Sequence, residues 1–277
     1  MLIPFTKMHG IGNDFVLIDN RAANLHLSEA HIRRLADRRF GVGCDQVLVA
    51  SAARRADADV AMQIFNADGS SAGQCGNGVR CFVIFMRDAG AAFGDEMRVE
   101  TPGGLVRAQI LPSQAVRATM GEAPQLDPVN VPMLVAGPAA EYSVVVDGVP
   151  ILLGAVSMGN PHAVIRVTDV QSAPVSTLGP AIQAREEFPD GVNVGFMQII
   201  AGDQIRLRVF ERGVGETLAC GSGACAAVVV GQMQGKLGSR VQVNLPGGAL
   251  DIEWSGPGQP VIMSGPTAIV FKSEVEL

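Results

Sequence analysis

Two cysteines stand in the same local pattern. Cys75 and Cys220 each open a Cys-Gly-x-Gly run, and each follows a phenylalanine, Phe65 or Phe210, by ten residues. Apolar stretches come next: Val79, Phe82, Val83 and Met86 have helical spacing, and Ala224 to Val230 is apolar throughout. The pattern predicts two buried helices, each with a cysteine at its N-terminus. The first turn of a helix has N–H groups without intrahelical acceptors and carries partial positive charge. A thiolate there is stabilised, so the thiol pKa is expected to fall toward working pH. The glycines let backbone N–H groups approach a carboxylate closely. Each motif thus offers a proton carrier beside an anion cradle. A facing pair suits inversion of a carbon stereocentre, where one group removes the Cα proton and another delivers a proton to the opposite face. Helix N-termini would stabilise the charge developing on the substrate carboxylate. The two sulfurs would start turnover in opposite protonation states, as a coupled pair.

The cysteine motifs are part of a longer repeat. Cys220 follows Cys75 by 145 residues, while Asn160 and Asn193 follow Asn13 and Gln46 by 147. Three anchors in the same order make the chain a duplicated half-chain, and Glu211-Arg212 is the repeat partner of Asn66-Ala67. Asn13, Asn66, Asn160 and Asn193 read singly as turn residues; placed equivalently in both halves, they read as ligand contacts. His162 alone reads first as structural. Cys44, Cys81 and Cys225 read as buried, inert thiols.

The elements that must position these residues follow the same division. Short apolar or alternating runs predict strands at 15–19, 46–50, 61–65, 144–146, 163–167, 194–200 and 205–210. Ser28 to Arg39 predicts a surface helix with Ser28 as N-cap. The Pro- and Gly-rich stretch from Gly121 to Pro138 is the expected connection.

Composition narrows the function classes. The chain has 277 residues, 48 % hydrophobic and 17 % charged, with a formal charge of −6. Basic residues form no patch, so nucleic acid is not an expected partner. Only three lysines occur, none in a recognisable pyridoxal-phosphate motif. The N-terminal residues lack the charge and apolar pattern of a signal peptide, and no apolar run approaches membrane-spanning length. The expected location is the cytoplasm, with the five cysteines reduced. An odd cysteine count without CxxC speaks against a disulfide framework or a zinc site, so no metal and no cofactor are expected.

The segments KMHGIGNDFVLID, FNADGSSAGQCGNGVRC, MGNPHAV and ERGVGETLACGSGACA resemble the diaminopimelate epimerases over nearly the whole chain. The resemblance implies conversion of L,L-2,6-diaminopimelate to the meso form, serving lysine and cell-wall precursor synthesis, by a homodimer. It implies an α/β fold of the α+β type: two pseudo-symmetric halves, each a mixed, mostly antiparallel sheet or barrel wrapped around a central helix. The halves are expected at 1–119, with 266–277 returning to it, and 120–265. The resemblance makes Cys75 the proton donor and Cys220 the acceptor in the L,L-to-meso direction. It makes His162 and Glu211 the groups that tune their pKa values. Asn13, Gln46, Asn66, Gly76, Asn77, Asn160, Asn193, Glu211, Arg212, Gly221 and Ser222 become substrate contacts, with Arg212 suited to the distal carboxylate. Ser222 stands where Thr is common. Phe271 stands where some relatives carry Tyr at the dimer contact. Two other readings have the same cysteine pair: a proline-racemase-like amino-acid racemase, and a thiol redox sensor or amino-acid-binding protein.

Overall fold

The computed structural model describes residues 2–22 and 25–277. The chain divides into two compact units, one running to Thr119 and including Ser264–Leu277, the other Met120–Met263.

The first unit contains β1 (Leu2–Gly10), β2 (Asn13–Asp19), α1 (Glu29–Ala36), β3 (Gln46–Ser51), β4 (Val60–Asn66), α2 (Gly76–Asp88), β5 (Met97–Thr101), β6 (Gly104–Ile110) and β7 (Val116–Thr119). The second unit follows with β8 (Tyr142–Val146), β9 (Val149–Ser157), β10 (Pro161–Arg166), α3 (Val175–Gln183), β11 (Asn193–Ala201), β12 (Gln204–Glu211), β13 (Gly215–Thr217), α4 (Gly221–Met233), β14 (Arg240–Leu245) and β15 (Gly248–Glu253). After β16 (Ile262–Gly265), β17 (Ala268–Glu276) pairs antiparallel with β1.

In both units the strand pairing is mixed and mostly antiparallel. In the first unit β2 is parallel to β3 and β4 to β5; the pairs β1/β2, β3/β4, β5/β6 and β6/β7 are antiparallel. In the second, β10 is parallel to β11 and β12 to β14; β8/β9, β9/β10, β11/β12 and β14/β15 are antiparallel. The duplication is visible in the registers. Phe15 pairs with Gln46 as His162 pairs with Asn193, and Val60 pairs with Val99 as Ile205 pairs with Val243. Of the two arrangements anticipated, sheet or barrel, the strands adopt a sheet that is not closed into a barrel.

Each sheet wraps one helix. The strands alternate, so Phe15 and Leu17 pack toward α2 while Val16 and Ile18 pack toward α1. Helix α2 is buried from Asn77 to Met86 and touches β1, β2, β6 and β7. Burying each large apolar side chain of this set contributes about 1.5–3 kcal/mol. Helix α4 is buried from Gly223 to Gly231 and touches β9, β10, β11, β12 and β15. The anticipated helix from Ser28 has Ser28 as N-cap but ends at Ala36, short of Arg39. Asp37 terminates it by accepting the Arg39 and Phe40 amides on its own Oδ1, a turn geometry that competes with helix. Helix α3 was not anticipated. Among the described residues, no helix is long and apolar enough to cross a membrane.

Candidate active site

Both cysteines are helix N-caps. Cys75 has extended backbone angles (φ −153, ψ 97), and its Sγ accepts the Gly78 amide at 3.3 Å. Cys220 repeats this (φ −112, ψ 104), with Gly223 N–H donating to Sγ at 3.4 Å. The last glycine of each motif lies in close approach to the sulfur. A Cβ on Gly78 would sit 3.2 Å from Cys75 Sγ and from Leu48 Cδ1; one on Gly223 would sit 3.1 Å from Cys220 Sγ and 3.0 Å from Val209 Cγ2. Upstream, Gly12 and Gly159 have φ 92 and 87, a conformation open to glycine, and each turns the chain into Asn13 or Asn160.

Around Cys75 the first unit gathers amides. Asn13 Oδ1 accepts from Asn77 Nδ2 at 3.2 Å and from the Cys75 thiol at 3.9 Å. Asn13 Nδ2 donates to Asp45 Oδ2 at 2.8 Å. On the neighbouring strands, in direct register, Gln46 Nε2 donates to Asn66 Oδ1 at 2.9 Å, and Asn66 Nδ2 donates to Ser70 Oγ at 3.0 Å. Behind them lies a charge cluster that the sequence reading did not single out. Lys7 donates to Asp14 and to the Gly43 carbonyl, and Arg38 donates to both Asp14 oxygens and to Asp45. The Arg38 and Lys7 hydrogen bonds hold the Asp14 carboxyl well below the usual range despite its burial.

Around Cys220 the surroundings differ. Its Sγ is 3.6 Å from Ser222 Oγ. Thr217 Oγ1 donates to Glu211 Oε1. Burial pushes the Cys220 thiol well up, and the charge and hydrogen bond of the Glu211 carboxylate push it further, against the bonds from Ser222 and Gly223. The expected fall in pKa at the helix start is therefore reversed for Cys220: at 4 % exposure, desolvation outweighs the helix N-terminus. His162 is 1 % exposed. Burial, with the nearby Arg212 charge, lowers its pKa to about 3. The ring is thus neutral near pH 7, and because the Asn160 Oδ1 at 3.0 Å can only accept, Nε2 carries the proton. Asn193 Oδ1 accepts the Arg212 amide at 3.0 Å and its Nδ2 donates to the Pro161 carbonyl at 2.9 Å, while Arg212 Nη1 reaches the Asp190 carbonyl at 2.7 Å.

The anticipated residues therefore gather within each unit: Asn13, Gln46, Asn66, Cys75, Gly76 and Asn77 in the first, and Asn160, His162, Asn193, Glu211, Arg212, Cys220, Gly221 and Ser222 in the second. Phe271 stands apart on β17, 44 % exposed, with its ring edge-on to Phe5 at 5.8 Å. Cys44 and Cys81 are buried thiols pushed up to about 12 by desolvation. Among the described residues no two cysteines are joined in a disulfide, and no group of His, Cys, Asp and Glu is arranged to hold a metal ion. Sequence reasoning missed Asp45, Arg80 and Thr217. Arg80 left a signal, the one charged residue in the stretch Asn77–Met86 that α2 buries.

Chemically, each unit presents one sulfur and the N–H groups of a helix start, which suits proton exchange at a carbon next to a carboxylate. The family model for diaminopimelate epimerase matches residues 5–126 and 154–270. The chain is 54 % identical over 279 residues to the diaminopimelate epimerase of Alkalilimnicola ehrlichii, and 52 % identical to that of Thioalkalivibrio sulfidiphilus, covering 100 % of both sequences each time. Among solved structures it is similar to a Bacillus anthracis phenazine biosynthesis protein of the PhzF family, at TM-score 0.71 and 15 % identity over 100 % of both chains. It is also similar to a probable proline racemase from Agrobacterium radiobacter, at TM-score 0.70 and 19 % identity over 99 % of this chain and 93 % of that one. At these identities the two structures share the fold.

Proposed function

Since this chain belongs to the diaminopimelate epimerase family, we propose that Cys75 and Cys220 are the two proton carriers with which it inverts one Cα of L,L-2,6-diaminopimelate. The protein is an isomerase of the racemase and epimerase class, and its reaction is L,L-to-meso epimerisation. One observation carries the assignment of the cysteines. Each caps the buried helix of its unit in the same geometry, with Sγ on the amide three residues on.

Inversion needs a base and an acid acting on opposite faces of the substrate Cα, and each unit supplies one sulfur. In the L,L-to-meso direction, the Cys220 thiolate takes the Cα proton and the Cys75 thiol delivers its own. Turnover leaves Cys220 as thiol and Cys75 as thiolate, the starting state for the reverse reaction. Charge developing on the carboxylate is met by the N–H groups of Gly76-Asn77 and Gly221-Ser222 at the helix starts. Burial raises the basicity of Cys220, and the Glu211 charge raises it further. His162 keeps a neutral ring that fixes the Asn160 amide. Asn13, Gln46, Asn66, Asn160 and Asn193 recognise the ammonium and carboxylate groups, and Arg212 grips the distal carboxylate. No cofactor or metal takes part in this scheme. The proposal includes a cytoplasmic homodimer in contact through β17, on which Ile269, Val270 and Phe271 are exposed.

Cys75→Ala and Cys220→Ala test the assignment in the reduced protein. Each is expected to lower kcat roughly 10²- to 10⁴-fold, the range for loss of a positioned acid or base, with the fold intact by circular dichroism. Cys81→Ala is expected to retain turnover. Equal loss in all three variants would remove the assignment.

A further inference from the structure

Arg80 carries its charge where helix physics disfavours it. It lies near the start of α2 and is 0 % exposed. The start of a helix is its positive end, and a buried guanidinium is costly unless hydrogen-bonded. The fold does not demand it. At the repeat-equivalent place in α4 stands Cys225, equally buried, inside a helix with the same wrapping.

The guanidinium engages the Asn77 amide. Nη2 donates to Asn77 Oδ1 at 2.8 Å, and Nη1 reaches the Gly76 carbonyl at 3.5 Å. An amide has one accepting and one donating end. With its oxygen held by Arg80, Asn77 turns Nδ2 to Asn13 Oδ1. From the other side the Asp45 carboxylate, itself held by Arg38, takes Asn13 Nδ2. The end of Asn13 left toward Cys75 Sγ is therefore its oxygen. At the Cys220 side the neighbours differ in kind: Ser222 and Glu211 stand there.

We propose that Arg80, acting with Asp45 at the other end of the chain, is a positioning residue for Cys75: the two charges fix the sense of the Asn77 and Asn13 amides, so that the Cys75 S–H meets an acceptor oxygen. A reversed Asn13 amide would present a donor to the sulfur and misalign the proton that Cys75 delivers. This inference rests on the two-cysteine reading and deepens it.

The test uses the reduced full chain with Arg80→Met, Arg80→Lys and Asp45→Asn, and L,L-diaminopimelate as substrate, with and without deuterium at Cα, in H₂O and in D₂O. Arg80→Met is expected to lower kcat roughly 10- to 100-fold, the scale of a misplaced reacting group, with KM close to wild type. Its solvent isotope effect, which reports delivery from Cys75, rises. Its substrate isotope effect, which reports removal by Cys220, falls toward one. Arg80→Lys keeps a donor for Asn77 and returns both isotope effects toward wild type. Asp45→Asn, at a partly exposed position, shifts them in the same sense as Arg80→Met. Activity lost only in proportion to unfolded protein, with both isotope effects unchanged, would make Arg80 a packing residue and overturn the proposal. Should Arg80→Met fail to fold, unchanged isotope effects in Asp45→Asn overturn it equally. Failure of the underlying reading is distinct: Cys75→Ala would then retain turnover.

Discussion

At the scale of single residues, the two sulfurs share a cap but not an environment. Cys220 is a buried thiol whose pKa is raised by desolvation and by Glu211. In its proposed role as base for the L,L isomer it acts deprotonated, so kcat/KM in that direction is expected to rise as pH rises through its pKa. Glu211→Gln removes the carboxylate charge, lowers that pKa and moves the rising limb to lower pH; a pH–rate profile of both proteins checks this. His162 gives a second pH effect, on stability. Its pKa is about 3 in the fold against 6.5 for a free side chain. Below pH 6.5 the unfolded chain takes up a proton that the folded protein refuses. The contribution is complete above that pH and is lost toward acid, at about 1.4 kcal/mol per pH unit for one proton. Denaturant melts at pH 7 and pH 5 should show this slope in wild type and lack it in His162→Leu. The candidate residues Cys75 and Cys220, Asn13 and Asn160 were legible because the same residue type stands at repeat-equivalent positions. The raised pKa of Cys220 was not, because it depends on burial and on a carboxylate nine positions away in sequence. Asp45 and Thr217 were equally illegible, since their role is to hold another side chain.

At the scale of elements, the Cys-Gly-x-Gly runs were readable because an all-apolar segment after a turn has few places to go but a buried helix. The structure adds why the second glycine is there. Gly78→Ala and Gly223→Ala gain helix propensity of up to ~1 kcal/mol, but their new methyl groups crowd the capping sulfur. Activity is therefore expected to fall roughly 10-fold or more while the melting temperature moves little. A drop in both together would mean that the glycines serve packing alone. Helix α3 escaped notice because its sequence argues against helix: Pro174 precedes it, and Gly179 and Pro180 lie within it. Its buried Val175 and Ile182, packed with Phe188 and Phe196, override that propensity.

At the scale of the molecule, a duplication inferred from three anchors is matched by strand registers. Asn66 sits opposite Gln46 on antiparallel strands, and in the second unit Phe210, just before Glu211, sits opposite Val194, just after Asn193. The halves depart from symmetry where the proposed chemistry is divided: Asn77 against Ser222, Arg80 against Cys225, Phe15 against His162. For the proposed dimer, Phe271→Asp places a charge on the exposed strand β17 while leaving most of its pairing with β1 available. Light scattering is expected to show monomers with native circular dichroism; an unchanged dimer would move the contact elsewhere.

The two-sulfur inversion is tested most directly by hydrogen exchange at Cα. Reduced protein without added cofactor is incubated with L,L-diaminopimelate in D₂O and followed by NMR and chiral chromatography. The expected result is deuterium at Cα together with the meso isomer, with formation of the meso isomer slowed roughly 10²-fold or more by Cys75→Ala or Cys220→Ala. Absence of exchange with diaminopimelate, alongside exchange with proline or another single-centre amino acid, would contradict it.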